Sequence, residues 1–320
     1  MSQVNTSAVP SSYRSGFVAV LGRTNSGKSS LVNALVGEKV SIVTHKSQTT
    51  RNVISGIKTY PDAQVVFLDT PGFVPTKHRN FLGRYLEENL STAKEGAALT
   101  LLVLDSTKHI GREGSVASIA RSLRERGFCP ENCHSAPLIV ALNKIDLIAK
   151  ADLLPLCQEV SNVFSGLECL EIVPVSAQTR NGIPELEKVI LKYIPEGPQL
   201  YPEDQVSAGS EAFLAQEIIR EKLYLRVHKE LPYSLTVAIE KWEESPTLLR
   251  IWASIIVAQQ SQRSIVVGTQ GAVLKEIGTK ARIELEGLFN SKVYLELHVK
   301  VEEDWNTSRS GLRKVGLEGI

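Results

Sequence analysis

The first half of the chain carries four short, mostly apolar runs that do not alternate: FVAVL at 17–21, VVFL at 65–68, LIVAL at 138–142 and LEIVPV at 170–175. Runs of this length without alternation suit strands buried on both faces, as in a parallel sheet covered by helices. Helical stretches are predicted at 30–36, stopped by Gly37, and at 184–193. The second half has a different rhythm. From Glu211 to about His228, Phe213, Leu214, Ile218, Leu223 and Leu225 recur with helical spacing, and 234–241, 248–258 and 292–301 suit strands. Between the halves, residues 196–210 are rich in Pro, Gly, Ser and acid, the composition of a linker.

Each run in the first half ends in residues with chemistry. The run at 17–21 leads into Gly22-Arg23-Thr24-Asn25-Ser26-Gly27-Lys28-Ser29, a complete GxxxxGK[ST] loop that opens a helix. Its glycines let backbone N–H groups wrap a phosphate, and the helix N-terminus adds positive partial charge. Lys28 is placed for the β- and γ-phosphates and Ser29 for Mg²⁺. The run at 65–68 leads into Asp69-Thr70-Pro71-Gly72. There Asp69 is expected to hold Mg²⁺ through water, and the Gly72 N–H to meet the γ-phosphate.

The run at 138–142 leads into Asn143-Lys144-Ile145-Asp146, which reads guanine. The Asp146 carboxylate accepts from the ring N–H and the exocyclic amine of guanine, whereas adenine has no amine there. Sites of that kind reject the wrong ligand by roughly 10⁴-fold or more. Asn143 is expected to brace two loops and the Lys144 stem to lie over the base. Ser176-Ala177 would add backbone contacts to the guanine oxygen. Gln48-Thr49-Thr50-Arg51 is a candidate first switch, with Thr50 favoured over Thr49 as the threonine that loses Mg²⁺ when the γ-phosphate leaves.

This order of motifs implies an α/β fold: a P-loop GTPase domain with a mostly parallel, doubly wound sheet and its ligand at the carboxyl ends of the strands. The cofactors are GTP/GDP and Mg²⁺, and Lys28, Thr50, Gly72 and Asn25 stand nearest the chemistry. Phe73 occupies the place where Ras-like enzymes have a water-orienting glutamine, so slow intrinsic turnover is expected. The loop resembles those of potassium-stimulated bacterial GTPases, in which the asparagine at the place of Asn25 helps hold K⁺. The resemblance implies a K⁺ site here.

Composition adds limits. The 320 residues are about two domains' worth, and 42% apolar content is ample for a core in each. A net charge of +1 gives no bulk attraction to nucleic acid. The cysteines at 129, 133, 157 and 169 do not form a disulfide framework. Cys129 and Cys133-His134 fall in 128–137, read as a surface insertion before a strand. No apolar stretch is long enough for a transmembrane segment, and residues 1–14 are polar and expected to be a flexible arm.

In the second half, an apolar run at 265–267, the turn Gly268-Thr269-Gln270-Gly271 and the helical stretch containing Lys275 resemble a KH domain. There the GxxG loop joins two helices and clamps a single-stranded RNA backbone. Charge is neutral on the point: from Gly268 to Ile320 there are eight Lys/Arg and eight Asp/Glu.

From about 17 to 317 the chain resembles the Era family, bacterial GTPases with a carboxyl-terminal KH domain. The residues that carry this are Ser41-Ile42-Val43-Thr44 leading into Gln48-Thr49-Thr50-Arg51, Glu217-Ile218-Ile219-Arg220-Glu221-Lys222-Leu223, Glu230-Leu231-Pro232-Tyr233-Ser234, Lys275-Glu276-Ile277-Gly278, and 292–301 running on to Trp305. The resemblance implies a GTPase domain over 15–195, a linker over 196–210 and a smaller α+β KH domain of type II over 211–320. It also implies binding near the 3′ end of 16S small-subunit ribosomal RNA and a role in assembly of the 30S subunit. A cytoplasmic monomer, with peripheral association at the inner face of the cell inner membrane, goes with it. The chain departs from the family at Thr269-Gln270, where many members are basic, at Gly209-Ser210, at His298, and in the insertion at 128–137. The alternative function is a constitutive RNA-binding protein whose nucleotide is structural or gates membrane attachment.

Overall fold

The structure, a computed structural model, describes residues 13–46, 49–72, 86, 89, 92–93, 96–109, 115–125, 137–165, 171–227, 231–303, 305–307 and 309–315. Expectations that rest on 1–12, Gln48, Phe73, Cys129, Cys133, His134, Cys169, Leu170, His228 and Glu230 lie outside the described residues. The described residues form two compact units, one taking in 13–40, 53–72 and 96–208, the other 41–52 and 209–315.

The first unit runs β1 (Arg14–Leu21), α1 (Lys28–Val36), β2 (Ile54–Tyr60), β3 (Ala63–Asp69), β4 (Leu99–Asp105), α2 (Ser115–Glu125), β5 (Leu138–Asn143), α3 (Lys150–Val163), β6 (Glu171–Pro174) and α4 (Ile183–Tyr193). Its strands lie in the order β2-β3-β1-β4-β5-β6, all parallel to their neighbours except β2, which is antiparallel to β3. The strand order reverses at β1, and this puts a crevice at the carboxyl end of that strand.

The absence of alternation has a simple cause. Neighbouring residues of one strand enter two different cores. Leu101 and Val103 of β4 pack with Leu31 and Leu35 of α1 and Leu186 of α4 on one face. Leu102 and Leu104 pack with Ile119 and Leu123 of α2 and Val160 of α3 on the other. Helix α1 also comes close to β2, because a Cβ on Gly56 would lie 2.9 Å from Val36 Cγ2. It ends as the sequence suggests, with Gly37 in the left-handed region (φ 94°) donating its N–H to Asn33 O.

Residues 196–208, expected as a linker, are hydrogen-bonded to this unit. Leu200 and Tyr201 donate their N–H groups to Gln64 Oε1 at 2.9 and 2.8 Å. Ile57 N–H donates to Val206 O at 2.8 Å and Ala208 N–H to Ser55 O at 3.4 Å. The segment thus satisfies the outward backbone groups of β2, an edge strand that would otherwise present them unpaired.

The second unit runs α5 (Glu211–Arg226), β7 (Leu235–Ser245), β8 (Leu248–Val257), α6 (Gln260–Val267), α7 (Ala272–Phe289), β9 (Lys292–Val301) and α8 (Arg309–Lys314). The sheet order is β7-β8-β9, antiparallel then parallel, so α6 and α7 form the crossover that a parallel β8–β9 pair requires. Ile218 and Leu223 of α5 and Ile277, Ala281 and Leu285 of α7 cover Val237, Ile251 and Ile255 of the sheet. Strand β7 continues past Lys241 to Ser245, because a register shift between Ile239 and Lys241 lets the pairing with β8 resume.

The stretch 41–52 is part of this second unit. Val43 N–H donates to Glu221 Oε1 at 2.9 Å, and Lys46 Nζ to Val227 O at 2.8 Å. Arg51 is 2% exposed and donates to Leu235 O at 2.9 Å. Its guanidinium lies 5.8 Å from the Tyr224 ring centre and 5.6 Å from that of Trp305, within cation–π range.

Candidate nucleotide site and nucleic-acid groove

At the carboxyl end of β1 the chain turns through Gly22-to-Ser29 into α1. Gly27 takes a left-handed conformation (φ 93°), and a Cβ there would lie 2.2 Å from Asn143 Nδ2, so only glycine fits. Lys28 is 6% exposed and its Nζ donates to Gly22 O and Arg23 O, both at 3.2 Å. Burial pulls its ammonium down to about 8, and the nearby Asp69 carboxylate opposes that pull. Ser29 Oγ donates to Asp69 Oδ2 at 2.6 Å. Thr70 is tied to β1 through its hydroxyl, which donates to Val20 O at 2.6 Å. Pro71 follows, and Gly72 lies flush on the loop, since a Cβ there would come within 2.8 Å of the Thr24 backbone. A buried ammonium on a glycine loop, with a hydroxyl and a carboxylate converging beside it, fits an anionic phosphate and a hard divalent cation.

Asn143 joins three loops, as its expected brace requires. Its Nδ2 donates to Ser26 O at 3.0 Å, and its Oδ1 accepts from Ala177 N–H at 3.1 Å. Lys144 reaches the same loop, with Nζ donating to Asn25 O at 2.9 Å. Ile145 N–H donates to Val175 O at 3.3 Å, which holds Asp146 beside Ser176 and Ala177. Ser176 is fully buried and its Oγ accepts from Thr179 N–H at 3.0 Å, whereas Asp146 is exposed. Asn25 has φ 63°, a left-handed residue that asparagine tolerates well.

Thr50 is buried and belongs to the second unit. The Thr49 hydroxyl is engaged locally, donating to Lys46 O at 2.7 Å and sharing a hydrogen bond with Thr44 at 2.6 Å. Asp105, the last residue of β4, belongs to none of these motifs, yet it accepts from Lys144 Nζ at 2.7 Å. The signal available in the sequence is an acid closing an apolar run, LTLLVLD at 99–105.

In the second unit, α6 ends at Gly268 (φ 73°), and Gln270 (φ 51°) and Gly271 (φ 77°) complete a tight turn into α7. Beside this turn lies a groove of about 360 Å³, lined by Gly271, Leu274, Lys275, Thr279, Arg282 and Leu297. Leu274, Leu295 and Leu297 share its lining with the basic side chains of Lys275 and Arg282. Gly278 also lines it, where a Cβ would make an ordinary contact of 3.4 Å with Leu297 Cδ1. Of the turn, Gly271 lines the groove together with Lys275, and Gly268, Thr269 and Gln270 lead up to it along the chain.

Residues 17–144 match the model of the 50S ribosome-binding GTPases, and 230–306 that of the KH domain. GTPase Era of Nitratidesulfovibrio vulgaris (strain DSM 19637 / Miyazaki F) is 43% identical over 95% of this chain and 97% of its own length. GTPase Era of Syntrophus aciditrophicus (strain SB) is 42% identical over 95% of both. Among solved structures, Era in complex with MgGDPNP and nucleotides 1506–1542 of 16S ribosomal RNA superposes with a TM-score of 0.87 at 38% identity, covering 95% of this chain and 99% of that one. Aquifex aeolicus Era bound to GDP and AlF4⁻ gives the same TM-score, identity and coverage. With a GTPase unit and a KH unit in this order, and relatives of this similarity along nearly its whole length, the chain belongs to the Era family of GTPases.

Proposed function

We propose that this GTPase binds the 3′ end of 16S ribosomal RNA and acts in maturation of the 30S subunit, with GTP binding and hydrolysis setting when it holds the RNA. The observation that carries this reading is the joining of three nucleotide loops by Asn143 in a chain that also bears a GxxG turn beside a groove lined by leucines and by Lys275 and Arg282. The relative solved with MgGDPNP and a 16S fragment supports it.

In this reading the N–H groups of 22–29 and the Lys28 ammonium hold the phosphates. Ser29, Asp69 and Thr50 hold Mg²⁺, with Asp69 acting through water. Gly72 senses the γ-phosphate, and Asp146 reads guanine beside Lys144, Ser176 and Ala177. Asn25 contributes to a K⁺ site whose charge aids slow hydrolysis. The turn Gly268-Thr269-Gln270-Gly271 and Lys275 hold RNA phosphates while bases lie in the groove. By family resemblance the GTPase domain takes 15–195 and the KH domain 211–320 along the chain, although 196–208 pairs with the first unit and 41–52 packs in the second. The protein works as a cytoplasmic monomer with peripheral attachment at the inner face of the inner membrane. Family resemblance supports these last points, and among the described residues no helix is long and apolar enough to cross a membrane.

The test compares affinity for a short strand copying the 3′ end of 16S RNA, with the protein loaded with GDP or a non-hydrolysable GTP analogue at one fixed salt concentration. Tighter binding with the analogue is expected. Equal affinity would favour a constitutive RNA binder, and no binding in either state would overturn the RNA assignment.

A further inference from the structure

We infer that Asp105 is a positioning residue for guanine nucleotide: its carboxylate pins the Lys144 ammonium, so that the Lys144 stem is fixed across the phosphate loop before the nucleotide arrives. The inference rests on the GTP-site reading of the same loops.

The sheet itself sets the pair. Asp105 lies opposite Asn143 in the parallel register of β4 and β5, so its carboxylate falls beside the residue that follows Asn143. The Asp105 side chain is 4% exposed. Its Oδ1 accepts from Thr107 N–H at 3.2 Å and Thr107 Oγ1 at 2.6 Å. That leaves Oδ2 to receive Lys144 Nζ at 2.7 Å, with Lys108 Nζ further off at 3.6 Å. Burial pushes the Asp105 carboxyl up, but the bonds from Lys144 and Thr107 outweigh it and hold the group below its usual range, so it is charged at neutral pH.

Lys144 gains from being held. A lysine stem is flexible and loses rotamer freedom when it is fixed, and its ammonium is a strongly hydrated point charge. Here Nζ is fixed from two sides, by Asp105 Oδ2 and by Asn25 O at 2.9 Å, and the stem passes near Gly27, where a Cβ would lie 3.9 Å from Lys144 Cε. The Lys144 backbone has φ 68°, a region a lysine rarely adopts. Side-chain bonds on both sides are what over-determines such a conformation. A nucleotide entering this site meets one wall already ordered, which reduces the entropy lost on binding.

A plainer role is available: the Asp105 side chain caps the short turn at 106–108. Asp105→Asn separates the two roles, since an amide oxygen still accepts from Thr107 but carries no charge for Lys144. Dissociation of fluorescent GDP would be followed in the full-length protein for wild type, Asp105→Asn, Lys144→Met and the double variant, with thermal unfolding of each nucleotide-free protein. Asp105→Asn is expected to release GDP roughly ten- to hundred-fold faster, as for loss of a charge-assisted bond. In the Lys144→Met background it is expected to add nothing. Asp105→Glu, which keeps the charge, is expected to fall in between and guards against a misfolded amide variant. Unchanged GDP release in Asp105→Asn, or an acceleration that persists without Lys144, would overturn the inference. Failure of the wild type to bind GDP would instead overturn the GTP-site reading.

Discussion

Ser29 Oγ lies 2.6 Å from Asp69 Oδ2, so the second residue of α1 and the last residue of β3 converge on one point. Two oxygens so placed suit a single hard cation, either directly or through one of its waters. Chelation of Mg²⁺ is therefore expected to speed GDP release by roughly tenfold or more, the effect of losing interactions with a charged group. Ser29→Ala is expected to do the same in the presence of Mg²⁺. Stopped-flow release should show chelation adding little in Ser29→Ala; a full additional effect would place the cation elsewhere.

The Lys28 ammonium, at about 8 in the nucleotide-free protein, gives GDP affinity a pH dependence with a definite sign. A bound phosphate favours the charged form, so binding raises this pKa and takes up a proton. Affinity is expected to be flat well below pH 8 and to fall as pH rises through 8 and beyond, by no more than tenfold per pH unit. Calorimetry at pH 8 in buffers of different ionisation enthalpy measures the uptake directly, and release of a proton would contradict it.

Asn143→Ala removes both partners of a brace, Ser26 O and Ala177 N–H. Two backbone groups left unpaired, one buried and one partly buried, cost about 2–6 kcal/mol together. Denaturant unfolding should show that loss in the nucleotide-free protein. GDP affinity should fall as well, because the guanine and phosphate loops lose their common anchor. Asn143→Asp, which can satisfy Ala177 N–H but not Ser26 O, should lie between.

Gly268 and Gly271 both have positive φ but differ in ψ, 177° against 11°, and in their surroundings. A Cβ on Gly268 would lie 2.5 Å from Val273 Cγ2, whereas one on Gly271 would meet nothing within 4 Å. Gly271→Ala is therefore expected to cost only the backbone term, about 1 kcal/mol, and Gly268→Ala more than that. Thermal unfolding ranks them. At the turn between them, Gln270→Lys is expected to tighten RNA binding and to steepen its salt dependence by about one unit of slope, the mark of one added phosphate contact. An unchanged slope would mean that this turn does not face phosphate.

What the sequence makes legible is what neighbours in the chain decide. The phosphate loop, Asp69-Thr70-Pro71-Gly72 and Asn143-Lys144-Ile145-Asp146 each follow a strand directly, so one local pattern announces both element and chemistry. Strand β4 carries the same buried pattern but ends without a recognised motif, and a search for motifs passes over Asp105 with it. Strand β2 is harder still: ISGIKTY is partly polar, and its outer edge is completed by 206–208, far along the chain. Arg51 looks in sequence like the end of a switch. Its burial depends on Tyr224, Leu235 and Trp305, and no local pattern can announce partners so distant.

That separation has a consequence for how the chain is made. Arg51 precedes its carbonyl acceptor Leu235 by 184 residues. At a synthesis rate of about 5–20 residues per second, Leu235 follows Arg51 out of the ribosome by roughly 10–40 s. Strand β1 and helix α1 emerge before Arg51, the remaining strands and helices of the first unit emerge within that interval, and together they have time to close around their own core. The stretch 41–52 waits, its arginine still in water, until α5 and β7 exist to receive it. Birth order makes the nucleotide unit the early folder and leaves the segment holding Thr50 to be set last.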